Sequence, residues 1–374
     1  MSKISNIATN SLRIIIAGGG TGGHIFPAIA IANAIKKIAP NTQFLFVGAT
    51  GKMEMEKVPL AGYRIVGLDI AGLNRSSILK NLSLPFKLIK SFYQVSQIFK
   101  DFAANAVIGV GGYSSYPVLR FAQTKGIPTF IHESNSFAGK SNILLGKKAT
   151  QIFTANEDMG SFFSQKKTLL TGNPVRQSIS EHSITKEDGL RFFELQPNLT
   201  TILVIGGSLG AKSINEAVKN NLHLFAQHNW QLIWQTGKPY IDTAMAAVAN
   251  TEAISVSSFI TQMEYAYAAA DVVISRSGAM AVAELCLVGK PVIFVPYPFA
   301  AENHQSVNAD ALVRKNAALA IADSQVNAQL FTTLQGLLAN DDLQKKLKAN
   351  IQKLAIKNAD EIIAAQILQM ITIA

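Results

Sequence analysis

Three stretches of this chain join an apolar run to a cluster of glycines and then to a helix-forming segment, an arrangement suited to holding phosphate. They are Gly18-Gly19-Gly20-Thr21-Gly22-Gly23-His24, Gly109-Val110-Gly111-Gly112-Tyr113-Ser114 and Gly206-Gly207-Ser208-Leu209-Gly210-Ala211. Residues without Cβ let backbone N–H groups approach an anion closely at the positive end of the next helix. His24 falls where a helix should begin, a position that lowers imidazole basicity and exposes the ring to whatever the loop holds. A histidine that is merely at the surface is the plain alternative. Ser208 can reach a phosphate oxygen or only cap its own helix. Two further segments carry groups for a sugar or nucleoside. Ser275-Arg276-Ser277-Gly278-Ala279 opens a helix containing Glu284, and Pro296-Tyr297-Pro298 leads to Asn303-His304-Gln305 and Asn308. A carboxylate has two acceptor oxygens and no donor, so Glu284 can accept both hydroxyls of a ribose.

These residues need elements that bring them to one edge of a sheet. Strand-length apolar runs recur at residues 13–17, 43–47, 64–68, 106–110, 129–132, 151–154 and 168–171, then at 201–205, 231–235, 254–257, 272–275, 292–295 and 318–320. Continuous apolar strands separated by helical patterns predict parallel sheets covered on both faces. The chain has 374 residues, more than one core usually serves, so two doubly wound α/β domains are expected. Their boundary is expected at Gly172-Asn173-Pro174, giving domains of 1–172 and 173–354, and residues 341–374 read as helix.

Composition narrows the function classes. Cys286 is the only cysteine, so no intrachain disulfide is possible and a reducing compartment is expected. The polar segment before Arg13 lacks the apolar core of a secretory signal, and no run of ~18 apolar residues predicts a membrane span. The net charge of +10 is unevenly placed: residues 1–172 hold 19 Lys and Arg against 7 Asp and Glu, and the remainder holds 15 against 17. A basic N-terminal half suits polyanionic small molecules, an anionic membrane surface or nucleic acid. No nucleic-acid partner is expected, because the chain lacks a finger or RNP-type motif. Gly18-x-Gly20-x-x-Gly23 fits the dinucleotide fingerprint, but the second strand ends Phe46-Val47-Gly48-Ala49-Thr50 without the ribose-binding acid that an oxidoreductase needs.

Taken in order, the first glycine cluster, Gly111-Gly112-Tyr113, His132-Glu133-Ser134-Asn135, Gly172-Asn173-Pro174-Val175-Arg176, the third glycine cluster, Ser275 to Ala279 with Glu284, and His304-Gln305 resemble the MurG family of bacterial N-acetylglucosaminyltransferases. The resemblance runs from Arg13 to about Asn308 and implies a GT-B fold, two Rossmann-like domains with a cleft between them. It implies that the C-terminal helix, about 355–374, returns to the N-terminal domain. The implied reaction moves N-acetylglucosamine from UDP-N-acetylglucosamine to the C4 hydroxyl of undecaprenyl-pyrophosphoryl-N-acetylmuramoyl-pentapeptide, with inversion. By the same resemblance the donor meets Thr21, Gly22, Gly23, Asn135, Arg176, Ser208, the backbone of Ile260, Arg276, Glu284, His304 and Gln305. The acceptor pyrophosphate meets Gly20, Thr21, Gly22, Gly111, Gly112, Tyr113 and Ser114. His24 is the preferred general base and Glu133 its competitor. No metal or other cofactor is expected, since no acid pair is placed for a cation. Ala281, Ser134 and Asn303 depart from the family's usual threonine, glutamine and aspartate.

Between residues 73 and 99, Leu79, Leu82 and Phe86 interleave with Lys80, Lys87 and Lys90. Such a segment can lie on an anionic bilayer or form an ordinary helix packed on its own domain. With the resemblance it implies a peripheral protein on the cytoplasmic face of the inner membrane, with possible partners in the cell-wall and division machinery. Rival readings are a UDP-N-acetylglucosamine 2-epimerase on the same fold, a non-catalytic polyanion or membrane adaptor, and the oxidoreductase.

Overall fold

Each apolar run seen in the sequence forms a strand in the computed structural model, which describes residues 11–72, 84–157, 159–180, 184–249, 253–300 and 303–373. Leu79, Lys80 and Leu82 lie outside the described residues. Two compact units result, Met1–Arg176 with Asn358–Ala374, and Gln177–Lys357.

The first unit runs β1 (Arg13–Ala17), α1 (Gly22–Ile38), β2 (Gln43–Ala49), α2 (Glu54–Leu60), β3 (Arg64–Leu68), α3 (Leu84–Phe102), β4 (Ala106–Gly109), α4 (Ser115–Thr124), β5 (Thr129–Glu133), α5 (Lys140–Gly146), β6 (Gln151–Thr154) and β7 (Thr168–Leu170). The second runs α6 (Gln177–Ser180), α7 (Lys186–Phe192), β8 (Thr200–Ile205), α8 (Lys212–Asn220), α9 (Leu222–Gln227), β9 (Trp230–Gln235), α10 (Ile241–Val248), β10 (Ile254–Ser257), α11 (Met263–Ala269), β11 (Val272–Ser275), α12 (Ala279–Val288), β12 (Val292–Phe294), α13 (His304–Arg314), β13 (Leu319–Ala320), α14 (Val326–Leu338) and α15 (Asp341–Gln352). α16 (Ala359–Ile373) closes the chain.

All strand pairings are parallel, in the orders β3-β2-β1-β4-β5-β6-β7 and β10-β9-β8-β11-β12-β13. Each order reverses direction once, between β1 and β4 and between β8 and β11. Neighbouring strands whose connections leave in opposite directions open a crevice at their carboxyl ends. The register pairs Ala17 with Gly109 and Ile205 with Ser275, so the first and second glycine loops leave one crevice side by side, and the third leaves the other beside Arg276.

Residues 341–373 form two helices rather than the single one expected over 341–374. α15 begins at an Asn340 cap whose side chain accepts from the Leu343 N–H at 2.9 Å, and the chain turns through a left-handed Asn358 before α16. Ile363, Ala364, Ile367 and Leu368 of α16 are buried in the same core as Ile25, Ile31 and Ile35 of α1. Full burial of Ile363, Ile367 and Leu368 contributes about 1.5–3 kcal/mol apiece. Cys286 is buried in the second unit, and burial pushes its thiol up to about 12, so it stays an unreactive apolar group.

Candidate active site

In the first unit, the loop between β1 and α1 lies against the loop between β4 and α4. Gly18 donates to the Val47 carbonyl of β2 at 3.1 Å, and Gly19 to the Gly111 carbonyl at 3.4 Å, which ties the first loop to the second. Gly20 donates to Glu54 Oε2 at 2.8 Å, so its N–H is turned inward and is not offered to a ligand. The N–H groups of the first turn of α1, at Gly22 and Gly23, have no intrahelical acceptors and point out of the helix end. His24 Nδ1 lies 3.0 Å from the Gly19 carbonyl and 3.4 Å from Thr21 Oγ1. A carbonyl only accepts, so this bond places the proton on Nδ1 and makes Nε2 the basic nitrogen of the neutral ring. Nε2 faces Gly111, where a Cβ would fall 2.8 Å from it, so only glycine leaves the imidazole its place. Tyr113 follows Gly112 and is half-buried; its phenol is held above its ordinary pKa, chiefly by burial and secondarily by the charge of Glu54. Ser114 is buried, and Ser115 Oγ donates to the Gly112 carbonyl at 2.8 Å.

Glu133, at the end of β5, is 3% exposed and fully engaged. Oε1 accepts from the Asn135 N–H and Nδ2 at 3.1 and 3.3 Å, and Oε2 from the Gly139 N–H and Asn142 Nδ2 at 3.0 and 2.8 Å. It therefore holds the loop that carries Asn135. Asn142 is buried, and its Oδ1 has no protein partner among the described residues, which leaves an acceptor unmatched near Gly111. Ser134 Oγ lies 3.3 Å from His132 Nδ1, and the guanidinium of Arg176 stacks 4.8 Å over the ring of Phe26 in α1.

His132 is buried beneath this loop, with Nε2 3.3 Å from the Gly172 carbonyl. Burial pushes its pKa from the ordinary 6.5 down to about 4, with the Gly172 carbonyl opposing and His24 adding a smaller push. The folded protein thus binds this proton more weakly than the unfolded chain, and stability falls as pH drops from about 6.5 to about 4. The shift corresponds to about 3 kcal/mol. Urea unfolding of the native protein and of His132→Gln across this range checks it: the native protein should lose more stability on acidification, and equal losses would remove the claim.

In the second unit, Gly210 carries φ of +76° and its Cα abuts the Thr236 carbonyl; a Cβ there would fall within 2.0 Å of that oxygen. The third loop is thereby pressed onto the end of β9. The cap of α8 is Ala211, so Ser208 is not the capping residue; it stands half-exposed beside an open Gly207. Gln235, buried at the end of β9, donates to the Gly207 carbonyl at 3.0 Å and accepts from the Ile260 N–H at 2.9 Å. The backbone N–H of Ile260 is therefore spent within the protein. Glu284, on the second turn of α12 and buried, accepts from the Tyr267 hydroxyl at 2.9 Å on Oε2.

Arg276 is committed to the protein as well. Nη1 donates to the Val295 and Pro296 carbonyls at 2.8 and 3.1 Å and to Asp323 Oδ1 at 2.5 Å, and Nη2 to Ser213 Oγ at 3.0 Å. It braces the loop after β12 against α8. His304 opens α13 behind a left-handed Asn303, and Gln305 ties that loop down: its Oε1 accepts from the Tyr297 N–H at 3.0 Å and its carbonyl from Ser277 Oγ at 2.8 Å. Ala281 is half-buried on α12. Among the described residues, no group of three or more His, Cys, Asp or Glu is placed to hold a metal ion.

The structure thus gathers His24, Thr21, Gly22, Gly23, Gly111, Gly112, Tyr113, Ser114 and Glu133 in the first unit, and Ser208, Ile260, Arg276, Glu284, His304 and Gln305 at the carboxyl edge of the sheet in the second. Glu54, Asn142, Gln235 and Tyr267 escaped the sequence reading. No local signal marks them, because Asn142, Gln235 and Tyr267 act on partners at least nine positions away and Glu54, besides Ala49 five positions before it, holds a loop 34 positions before it.

Two nucleotide-type α/β units with glycine loops at their switch points, the second with a buried acid on α12, have the architecture of nucleotide-sugar glycosyltransferases. Residues 14–154 match the glycosyltransferase family 28 N-terminal domain and residues 201–364 the family 28 C-terminal domain, and the chain belongs to this family. Among its relatives, the UDP-N-acetylglucosamine--N-acetylmuramyl-(pentapeptide) pyrophosphoryl-undecaprenol N-acetylglucosamine transferase of Phocaeicola vulgatus is 50% identical over 96% of both chains. The transferase of the same name from Parabacteroides distasonis is 47% identical over 96% of this chain and 98% of its own. The crystal structure of Acinetobacter baumannii MurG superposes with a TM-score of 0.74 at 28% identity over 96% of this chain and all of that one. A UDP-GlcNAc 2-epimerase from Neisseria meningitidis reaches 0.67 at 15% identity, a likeness of fold alone.

Proposed function

We propose that this protein transfers N-acetylglucosamine from UDP-N-acetylglucosamine to the C4 hydroxyl of undecaprenyl-pyrophosphoryl-N-acetylmuramoyl-pentapeptide, with inversion at the anomeric carbon. The observation that carries this reading is the 50% identity, end to end, with a transferase of that name. That kinship supports both substrates, and the two glycine-loop sites are consistent with it.

On this reading the donor occupies the second unit. Glu284, held by Tyr267, accepts the ribose hydroxyls. Ser208 and the amino end of α8 meet the diphosphate, where negative charge grows as UDP leaves. The backbone beside Ile260 lines the uracil, using groups other than its committed N–H. His304 and Gln305 meet the sugar. Arg276 acts by bracing the sugar loop. The acceptor occupies the first unit, its pyrophosphate at the first turn of α1 (Thr21, Gly22, Gly23) and at Gly111, Gly112, Tyr113 and Ser114. Gly20 serves that site through its shape, since its N–H belongs to Glu54.

The acceptor O4 forms a bond to the anomeric carbon while the bond from that carbon to the diphosphate oxygen breaks and its electron pair leaves with UDP. His24 Nε2 takes the O4 proton. Glu133, with both oxygens already filled, positions Asn135 and Asn142, whose unmatched Oδ1 can accept from an acceptor hydroxyl. No metal ion has a part in this scheme.

The acceptor is a lipid, and α3 offers a surface for its bilayer. Phe86, Ile89 and Tyr93 are 75%, 68% and 67% exposed on a helix that also exposes Lys87 and Lys90. Lys90 pairs with Asp69 at 2.6 Å. No helix among the described residues is long and apolar enough to cross a membrane, and we assign the protein peripherally to the cytoplasmic face of the inner membrane.

Incubation with labelled UDP-N-acetylglucosamine and the lipid-linked muramoyl acceptor, presented in anionic vesicles, tests the whole reading. Acceptor-dependent release of UDP and pelleting with the vesicles are expected. UDP release without acceptor, epimerised donor or no turnover would overturn the reaction, and turnover without pelleting would overturn the membrane surface.

A further inference from the structure

Glu54 is the least expected group in the first unit. It is an acid at the first position of a short amphipathic helix, yet it is only 1% exposed. Its Oε1 accepts from the Ala49 N–H at 3.0 Å and its Oε2 from the Gly20 N–H at 2.8 Å. Both oxygens accept from donors, the pattern an ionised carboxylate makes. Among the described residues it has no cation within ion-pair distance. Gly19 and Gly48 lie so close to it that a Cβ on either would fall within 2.4 Å of its side chain. The loop and the strand have given up side chains to let this carboxylate in.

What Glu54 holds is one peptide unit, the one joining Gly19 to Gly20. The N–H of that unit points to Glu54, and its carbonyl, that of Gly19, accepts from His24 Nδ1 at 3.0 Å. A trans peptide is planar, with N–H and C=O pointing in opposite directions, so fixing one end fixes the other. Glycine on both sides makes this unit unusually easy to rotate, and Gly20 already sits at φ of +91°. A charged acceptor on the N–H side also polarises the unit and strengthens its carbonyl as an acceptor.

We propose that Glu54 is a positioning residue that sets the tautomer of His24 through the Gly19–Gly20 peptide, a carboxylate–peptide–imidazole relay that keeps the proton on Nδ1 and the lone pair on Nε2. Its catalytic consequence rests on the assignment of His24 as base; its structural content does not. Glu54→Gln keeps the size of the side chain but turns an NH2 toward one of two N–H donors, so either Gly20 or Ala49 loses its acceptor.

Nitrogen-15 NMR of the histidine-labelled full-length protein, with His24 assigned by comparison with His24→Gln, reads the relay without substrate. In the unaltered protein at neutral pH, His24 should be the Nδ1–H tautomer; an Nε2–H signature would overturn the relay outright, whatever any variant does. In folded Glu54→Gln, the signal should move toward a tautomer mixture. The same variant should lose kcat by about 10- to 100-fold, taking as a guide the range for removing the hydrogen-bonded partner of a metal-bound histidine, with the KM for UDP-N-acetylglucosamine unchanged. A folded variant with an unaltered His24 tautomer overturns the proposal. An altered tautomer with unaltered kcat retains the relay and removes His24 from the chemistry, so the two failures are told apart.

Discussion

Alanine in place of His24 is expected to lower kcat by about 10²-fold or more, the contribution of a general base aligned on its proton, and to leave the KM for UDP-N-acetylglucosamine unchanged. The argument is geometric. Nδ1 is occupied by the Gly19 carbonyl, so Nε2 is the nitrogen that can accept a proton, and it lies against the second glycine loop at Gly111. The pyrophosphate assigned to these loops would bring the acceptor sugar to the same place. The alternative base, Glu133, has four donors on its two oxygens and would have to surrender one to take a proton. Steady-state kinetics with both substrates varied decides the matter. Near-normal turnover in the variant would assign proton removal to Glu133 or to solvent; a rise in donor KM alone would make His24 a donor contact instead.

Replacing Glu284 with alanine should act on the other side of the reaction. A hydrogen bond to a charged group contributes about 1.5–3 kcal/mol, so losing the carboxylate we propose for the ribose should raise the donor KM by about 10- to 100-fold, while the acceptor KM stays as it was. Tyr267→Phe should show a smaller rise in the same direction, because the tyrosine hydroxyl, 2.9 Å from Oε2, orients the carboxylate. An unchanged donor KM in Glu284→Ala would move the ribose elsewhere. If acceptor KM rose instead, the division of substrates between the units would be reversed. Isothermal titration with UDP alone gives the same answer without the lipid.

The strands were legible because burial on both faces of a parallel sheet demands continuous apolar runs, a property written into consecutive residues. The glycine loops were legible for a similar reason, since a backbone turned into left-handed space or packed against another backbone calls for glycine at the position itself. Gly111 and Gly210 are such positions. Helix ends were less so: residues 341–374 show an unbroken helical pattern, and the turn at Asn358 became visible only where α16 leaves α15 to bury Ile363 and Ile367 against α1.

Side-chain assignments divided along the same line. From residue types and order the chain itself determined the two α/β units and the three glycine loops, and offered His24, Glu284, His304 and Gln305 as candidates. Tertiary structure alone decided what those groups are attached to. It turned Arg276 toward Asp323 and the Val295 and Pro296 carbonyls, gave the Ile260 N–H to Gln235, and filled Glu133 with loop donors. It also buried Glu54, which in the sequence is one acid of a surface-like helix five residues past the end of β2. Residue type and spacing report what a group can do and which conformation its own backbone needs. Which partner satisfies it is settled by contacts between distant segments, and those exist only once the sheet order has brought the loops together.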